Sequence, residues 1–314
     1  MSYFSWSFLA KGICASLLCI CVCSPMLRAQ VPQQVDQYIF NSLVLNPASS
    51  GSREVLHGAL MVRRQWTGFA NAPYLGTFAF DGVSKSRRNG FGLLASLSGN
   101  GPLQQGNVNL NYAYRLPIGK GKLAFGLSGG ISTVQLKSSR VATTDPGDLE
   151  FMEDSPVLIA PEAGFGIWYE NPKFYLGAAA PKLLGYYSDQ YDLFVGQVGR
   201  TPYFLGTGGV LFTVSPKVKL KPTFLVKYIP DAPVQTDLNL FLIAKDLVWL
   251  GAGWRSNQDW IFSAGIQLNQ QLHLGYAYSM SRPELRPWNS GSHNLTMSYD
   301  FGYQIDTDRP RYYW

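Results

Sequence analysis

The chain has 314 residues, of which 15% are charged, 14% aromatic and 32 are glycine. So low a charge content argues against a soluble domain, where roughly 25% is usual, while a mean hydropathy of −0.03 excludes a bundle of transmembrane helices. The net charge of +6 is scattered rather than gathered on a basic helix or a stripe of stacking aromatics, so no nucleic-acid footprint is expected.

From the N-terminus, residues 1–29 read as a signal peptide. Lys11 closes a short charged region, Gly12 to Cys23 is apolar but too short to span a bilayer as a helix, and Leu27-Arg28-Ala29 offers a cleavage point before Gln30. The alternative is an uncleaved anchor beginning at Tyr3. All four cysteines (Cys14, Cys19, Cys21 and Cys23) lie in this segment, so the mature chain holds no disulfide, thiolate metal site or cysteine nucleophile. Removing Lys11 and Arg28 leaves 24 basic and 20 acidic residues, a net +4.

Residues 30–53 precede the first strand and carry the run Gln37-Tyr38-Ile39-Phe40-Asn41-Ser42-Leu43-Val44-Leu45-Asn46-Pro47. Its apolar content predicts a plug inside a barrel, or else a periplasmic segment. Residues 54–314 then read as a transmembrane antiparallel β-barrel, because period-two alternation recurs and sustained helical periodicity does not. About fourteen strands are expected, near 56–66, 73–83, 89–98, 105–115, 121–134, 161–170, 172–180, 202–214, 217–229, 234–244, 246–255, 258–268, 270–280 and 292–302. Each is close to the roughly 9–11 residues a membrane strand needs. Asn107, Asn109 and Asn111 alternate with Val108, Leu110, Tyr112 and Tyr114. Lys217, Lys219, Lys221 and Lys227 oppose Val218, Leu220, Phe224, Val226 and Tyr228, a lysine ladder expected to pair with inward acids such as Asp237.

Every second connection is tight: 84–88, 116–120, 171, 215–216, 245 and 269. The others include the long ones, 135–160, 181–201 and 281–291. This segregation is the outer-membrane pattern, with short turns periplasmic and long loops extracellular. Trp66, Trp168, Tyr169, Tyr228, Trp254 and Trp260 lie at strand ends, as interfacial aromatics do. Small residues (among them Gly126, Gly130, Gly164, Gly166 and Gly177) share the inward face of the fifth to eighth strands, which fits either a segment packed against that wall or barrel curvature.

Catalytic chemistry is not expected, nor a metal or cofactor site. His57 and His273 should point into the lumen near Asp81, Asp237, Asp259 and Asp300, where polar lining is the simplest role. A hydrolase would need a His–Asp pair in contact. The acidic loop carrying Asp145, Asp148, Glu150, Glu153 and Asp154 lacks EF-hand spacing.

The segment Gln34 to Gly51 resembles the N-terminal signature of the PorP/SprF family of type IX secretion membrane proteins of the Bacteroidetes. Gln37, Tyr38, Phe40, Asn41, Asn46, Pro47, Ala48 and Gly51 fit its pattern. Arg63-Arg64-Gln65-Trp66, Ala72-Pro73 and Phe80-Asp81-Gly82 resemble the elements that follow. The resemblance implies a noncatalytic barrel in the outer membrane of a Gram-negative bacterium, supporting secretion or surface attachment of cargo with C-terminal sorting domains. It implies periplasmic and outer-membrane translocon subunits and peptidoglycan-linked proteins as partners, besides membrane lipid. Gln37, Tyr38, Phe40, Asn41, Asn46, Pro47, Gly51, Gln65, Trp66 and Asp81 are the candidate plug or partner contacts. A solute channel with an N-terminal hatch is the alternative.

Overall fold

The computed structural model describes residues 38–69, 71–140, 153–184, 202–230, 232–256, 259–280 and 286–301. The signal peptide, Gln37, and Asp145, Asp148 and Glu150 lie outside them. Three short 3-10 turns, Tyr38–Phe40, Ser42–Val44 and Pro47–Ser49, precede the strands. The strands are β1 (Leu56–Arg64), β2 (Tyr74–Val83), β3 (Asn89–Asn100), β4 (Leu103–Ile118), β5 (Gly121–Leu136), β6 (Leu158–Glu170), β7 (Phe174–Lys182) and β8 (Tyr203–Val210). They continue with β9 (Phe212–Ser215), β10 (Val218–Tyr228), β11 (Gln235–Ala244), β12 (Val248–Arg255), β13 (Asp259–Gln267), β14 (Leu272–Met280) and β15 (Ser292–Phe301).

Runs β8 and β9 are two halves of one strand, interrupted at Leu211, and both pair with β10. Fourteen antiparallel strands therefore follow one another in chain order among the described residues. β1 pairs with β15 from Leu56↔Phe301 to Arg64↔His293, so the sheet closes into a transmembrane barrel without a free edge.

Alternation decides which side chain meets lipid. In β4, Val108, Leu110, Tyr112 and Tyr114 are exposed on the outer wall, whereas Asn109, Asn111, Ala113 and Arg115 are buried inside. In β11, Leu238, Leu240 and Leu242 face out while Asp237, Asn239, Phe241 and Ile243 face in. Burying the backbone polar groups in ladder hydrogen bonds and presenting apolar side chains to the bilayer is what a spanning strand requires. Trp168 departs from the expected aromatic girdle. It is only 1% exposed and faces inward, stacked on Tyr175 at 4.8 Å. It shares parity with Gly166 and Glu170 on the lumen face of β6, so it cannot reach the membrane interface.

The connections 84–88, 119–120, 171–173, 216–217, 245–247 and 268–271 lie at one end, with the start of β1 and the end of β15. We call this the turn rim. The strand ends flanking the longer connections 65–73, 137–157, 183–202 and 281–291 lie at the other, the loop rim, together with those flanking the shorter 101–102, 229–234 and 256–258. At the turn rim Lys245 and Asp246 both have positive φ, 52° and 55°. Such turns match the right-handed twist of the strands they join.

Candidate functional site

The segment Tyr38–Arg53 folds locally around two asparagines. Asn41 and Asn46 are extended, with φ of −152° and −147°, and their Oδ1 atoms accept from Leu43 N at 3.1 Å and Ala48 N at 2.9 Å. Side-chain caps of this kind satisfy the first amides of a helical turn, and Pro47 stands where a missing amide costs nothing. Ser49 Oγ and Ser50 Oγ donate to the carbonyls of Asn46 and Pro47, each at 2.8 Å. The segment thus meets much of its own hydrogen-bonding need, which lets a nearly irregular stretch be buried.

It is buried in the lumen, against the walls on every side from β2 round to β13. Asn46 Nδ2 donates to the carbonyls of Ile167 in β6 and Ala178 in β7, at 2.9 and 3.2 Å. A Cβ at Gly126 would collide with the backbone of Ala48, one at Gly166 with Asn46 Oδ1, and one at Gly90 with the Ser50 carbonyl. The small-residue wall is where the segment approaches the sheet backbone to backbone. Gly51 has φ of +70° and donates its amide to Asp81 Oδ2 at 2.7 Å. A side chain there would be strained in φ and would also meet Gly82 O at 2.8 Å. Across the lumen, Tyr38 packs with Leu45, Leu205 and Leu225, and its hydroxyl accepts from Asn239 Nδ2 at 2.8 Å. Phe40 lies beside Trp249, ring centroids 5.9 Å apart.

Charged groups close the base of this assembly. Glu54 pairs with Arg87 at 3.3 Å and with Lys122, bridging the segment's exit to the β2–β3 turn and the start of β5. Arg115 pairs with Glu170 and reaches the Ser50 carbonyl at 3.4 Å, while Trp168 Nε1 donates to Glu170 at 2.8 Å. Arg53 Nη2 donates to Phe40 O at 2.7 Å. These are buried or half-buried charges held by partners, as burial demands.

Of the candidate contacts, Tyr38, Phe40, Asn41, Asn46, Pro47, Gly51 and Asp81 come together in or beside this assembly. Gln65 and Trp66 do not. They sit at the loop rim, where the Gln65 amide donates to Pro73 O at 2.8 Å and the Trp66 amide to Ser292 Oγ at 3.2 Å. Arg53, Glu54, Arg115 and Glu170 belong to the assembly without having been singled out from sequence. The inward parity of Arg115 and Glu170 was their only signal.

The lumen histidines flank one carboxylate: His57 Nδ1 lies 2.6 Å from Asp300 Oδ1, and His273 Nε2 lies 3.5 Å from Asp300 Oδ2. The contact a hydrolase would need is therefore present, but His57 is fully buried. Through Asp300 the two contacts tie β1, β14 and β15 together. In the lysine ladder, Lys219 pairs with Asp246 at 2.8 Å, and Lys221 lies between the rings of Tyr175 and Trp249, at 5.7 and 5.6 Å. Asp237 is bound through both oxygens by Arg255, at 2.9 and 2.8 Å.

The family model described as type IX secretion system membrane protein PorP/SprF matches residues 27–299. No curated protein matches the chain. Among solved structures, the CymD monoaromatic hydrocarbon channel is similar over 88% of this chain and 96% of its own, with a TM-score of 0.53 and 12% identity. The outer membrane protein Omp33 of Acinetobacter baumannii is similar over 79% of this chain and 100% of its own, with a TM-score of 0.48 and 6% identity. At such identities the CymD likeness concerns the barrel fold alone.

Proposed function

This chain belongs to the type IX secretion system membrane protein family PorP/SprF, and we propose that it is a noncatalytic outer-membrane barrel subunit of that secretion system. In this reading residues 30–53 form a fixed plug, the turn rim faces the periplasm and the loop rim faces outward. The barrel supports secretion or surface attachment of cargo with C-terminal sorting domains. It binds periplasmic and outer-membrane translocon subunits and peptidoglycan-linked proteins through its rims and plug.

The observation that carries this beyond family membership is the occupied lumen. A bore crossed by its own N-terminal segment, and held by Asn46, Gly51 and Glu54 to walls on several sides, is poorly suited to pass cargo or solute. It is well suited to present a rigid docking scaffold. The solute-channel alternative is not favoured, since its support is likeness of fold to a hydrocarbon channel at 12% identity.

The test is purification of the tagged protein from gently solubilised outer membranes, with mass spectrometry of what accompanies it. Co-recovery of translocon subunits or of sorting-domain cargo is expected. A barrel recovered without them, and able to raise solute permeability when reconstituted alone, would defeat the reading.

A further inference from the structure

The turn rim carries a dense arc of exposed positive charge. Lys85, Arg87 and Arg88 lie in the β2–β3 turn, Lys120 in the β4–β5 turn and Lys173 in the β6–β7 turn. Lys217 lies between β9 and β10, and Lys245 between β11 and β12; all seven are exposed. Among the described residues at this rim, the acids Glu54 and Asp246 are engaged locally, Glu54 with Arg87 and Lys122, and Asp246 with Lys219. Asp81, Glu170 and Asp300 are buried in the lumen instead. The β13–β14 turn, Asn269 to Gln271, is uncharged, so the arc covers five of the six turns. Among the described residues it stays open beside the start of β1 and the end of β15. Of the described residues at the loop rim, Lys137 pairs with Asp154 at 3.0 Å and Lys182 with Glu162 at 3.2 Å.

The second observation is where the lipid-facing wall ends. Ile118 stands two residues before Lys120, Phe174 directly after Lys173, Val214 three residues before Lys217 and Leu242 three residues before Lys245. They lie on the outward parity of their strands, with exposures of 48%, 39%, 63% and 40%. An apolar wall that stops one to three residues short of a cation sets that cation at the level of the headgroups. Its aliphatic stem can lie along the hydrocarbon edge while its charged end reaches phosphate.

We propose that this arc is a binding collar for anionic phospholipid headgroups, with Lys85 and Arg88, on either side of the Glu54-paired Arg87, as its densest point. Guanidinium and ammonium groups recognise phosphate oxygens by charge-assisted hydrogen bonds. A lipid fits better than an acidic protein because the cations follow the circumference at the edge of the apolar wall instead of gathering on one face. The proposal needs only a spanning barrel, so it stands or falls independently of the secretion role.

The test uses the full chain reconstituted in vesicles of equal parts phosphatidylcholine and phosphatidylglycerol. The protein is then extracted in mild detergent and its retained lipids are counted by mass spectrometry. A variant combining K85Q, R88Q, K120Q, K173Q, K217Q and K245Q keeps Arg87, and with it the Glu54 pair. The native protein should retain phosphatidylglycerol several-fold over phosphatidylcholine, on the order of tenfold at low salt. High salt and the sixfold variant should each abolish the preference. Equal retention of the two lipids by native protein would overturn the proposal. So would an unchanged preference in the variant, and loss of an acidic protein partner from its pull-downs would then make the arc a protein-docking surface. Should the variant not insert, the salt titration on native protein decides alone.

Discussion

Asn46 concentrates more of the N-terminal segment's fixation than any other single side chain. Its carbonyl oxygen caps Ala48 while its amide reaches Ile167 O and Ala178 O, on two adjacent strands. Asn46→Ala removes all three bonds in a buried setting and is expected to cost about 1–3 kcal/mol, read as a lower urea midpoint in vesicles. Asn46→Asp keeps the acceptor but cannot donate to the two carbonyls, so it should be no better tolerated. Gly126→Val tests the barrel side of the same contact. Its side chain would occupy the space of the Ala48 backbone, so the segment should become cleavable by added protease while the barrel stays intact. At the loop rim, Asp154 has its carboxyl held below the ordinary value of 3.8, first by the Ser139 hydroxyl and then by Lys137. Because the folded-state value is depressed, the contact is present above 3.8 and is lost as pH falls through that lower value. The protection factor for hydrogen exchange at the Ser139 amide, which also donates to Asp154 at 3.2 Å, should therefore fall in strong acid and be indifferent to pH near neutrality.

At the scale of single strands, alternation was legible because lipid and lumen demand opposite chemistry at adjacent positions. β4 shows the consequence most clearly. Leu110→Arg, on its outer wall, should cost roughly 2–4 kcal/mol when refolding into vesicles is followed by urea titration, whereas Asn111→Ser, one residue along and inside, should cost far less. What sequence reading missed follows from register. Treating Lys245 alone as the β11–β12 turn would set Asp237 opposite Gly253. The turn in fact spans 245–247, and Asp237 faces Arg255. A shift of two residues kept the face correct but hid the ion pair. Trp168 was misplaced for a different reason: aromatic residues near strand ends suit either wall, and only its shared parity with Gly166 and Glu170 separates them. The contacts of the N-terminal segment were beyond sequence reading altogether, since Gly51 meets Asp81 and Asn46 meets Ala178 through closure of the barrel rather than through any local pattern.

For the molecule as a whole, the closed ladder leaves no strand edge, and the interior is filled by a segment from the chain's own start. Tyr38 bonds Asn239 across 201 positions of sequence, and Asn46 bonds Ala178 across 132. The segment made first thus finds its partners only when strands made much later are in place. Contacts so distant in sequence are slow to form, because loop closure must precede any gain from them. Assembly should accordingly have two observable stages. The band shift on an unheated gel that marks a closed barrel should come first, and protection of residues 38–53 from protease should follow. Were the segment protected before closure, it would instead be a template on which the strands gather. In either sequence of events the chain's beginning serves as its keystone, set last or first, and the barrel is finished only when that stone is seated.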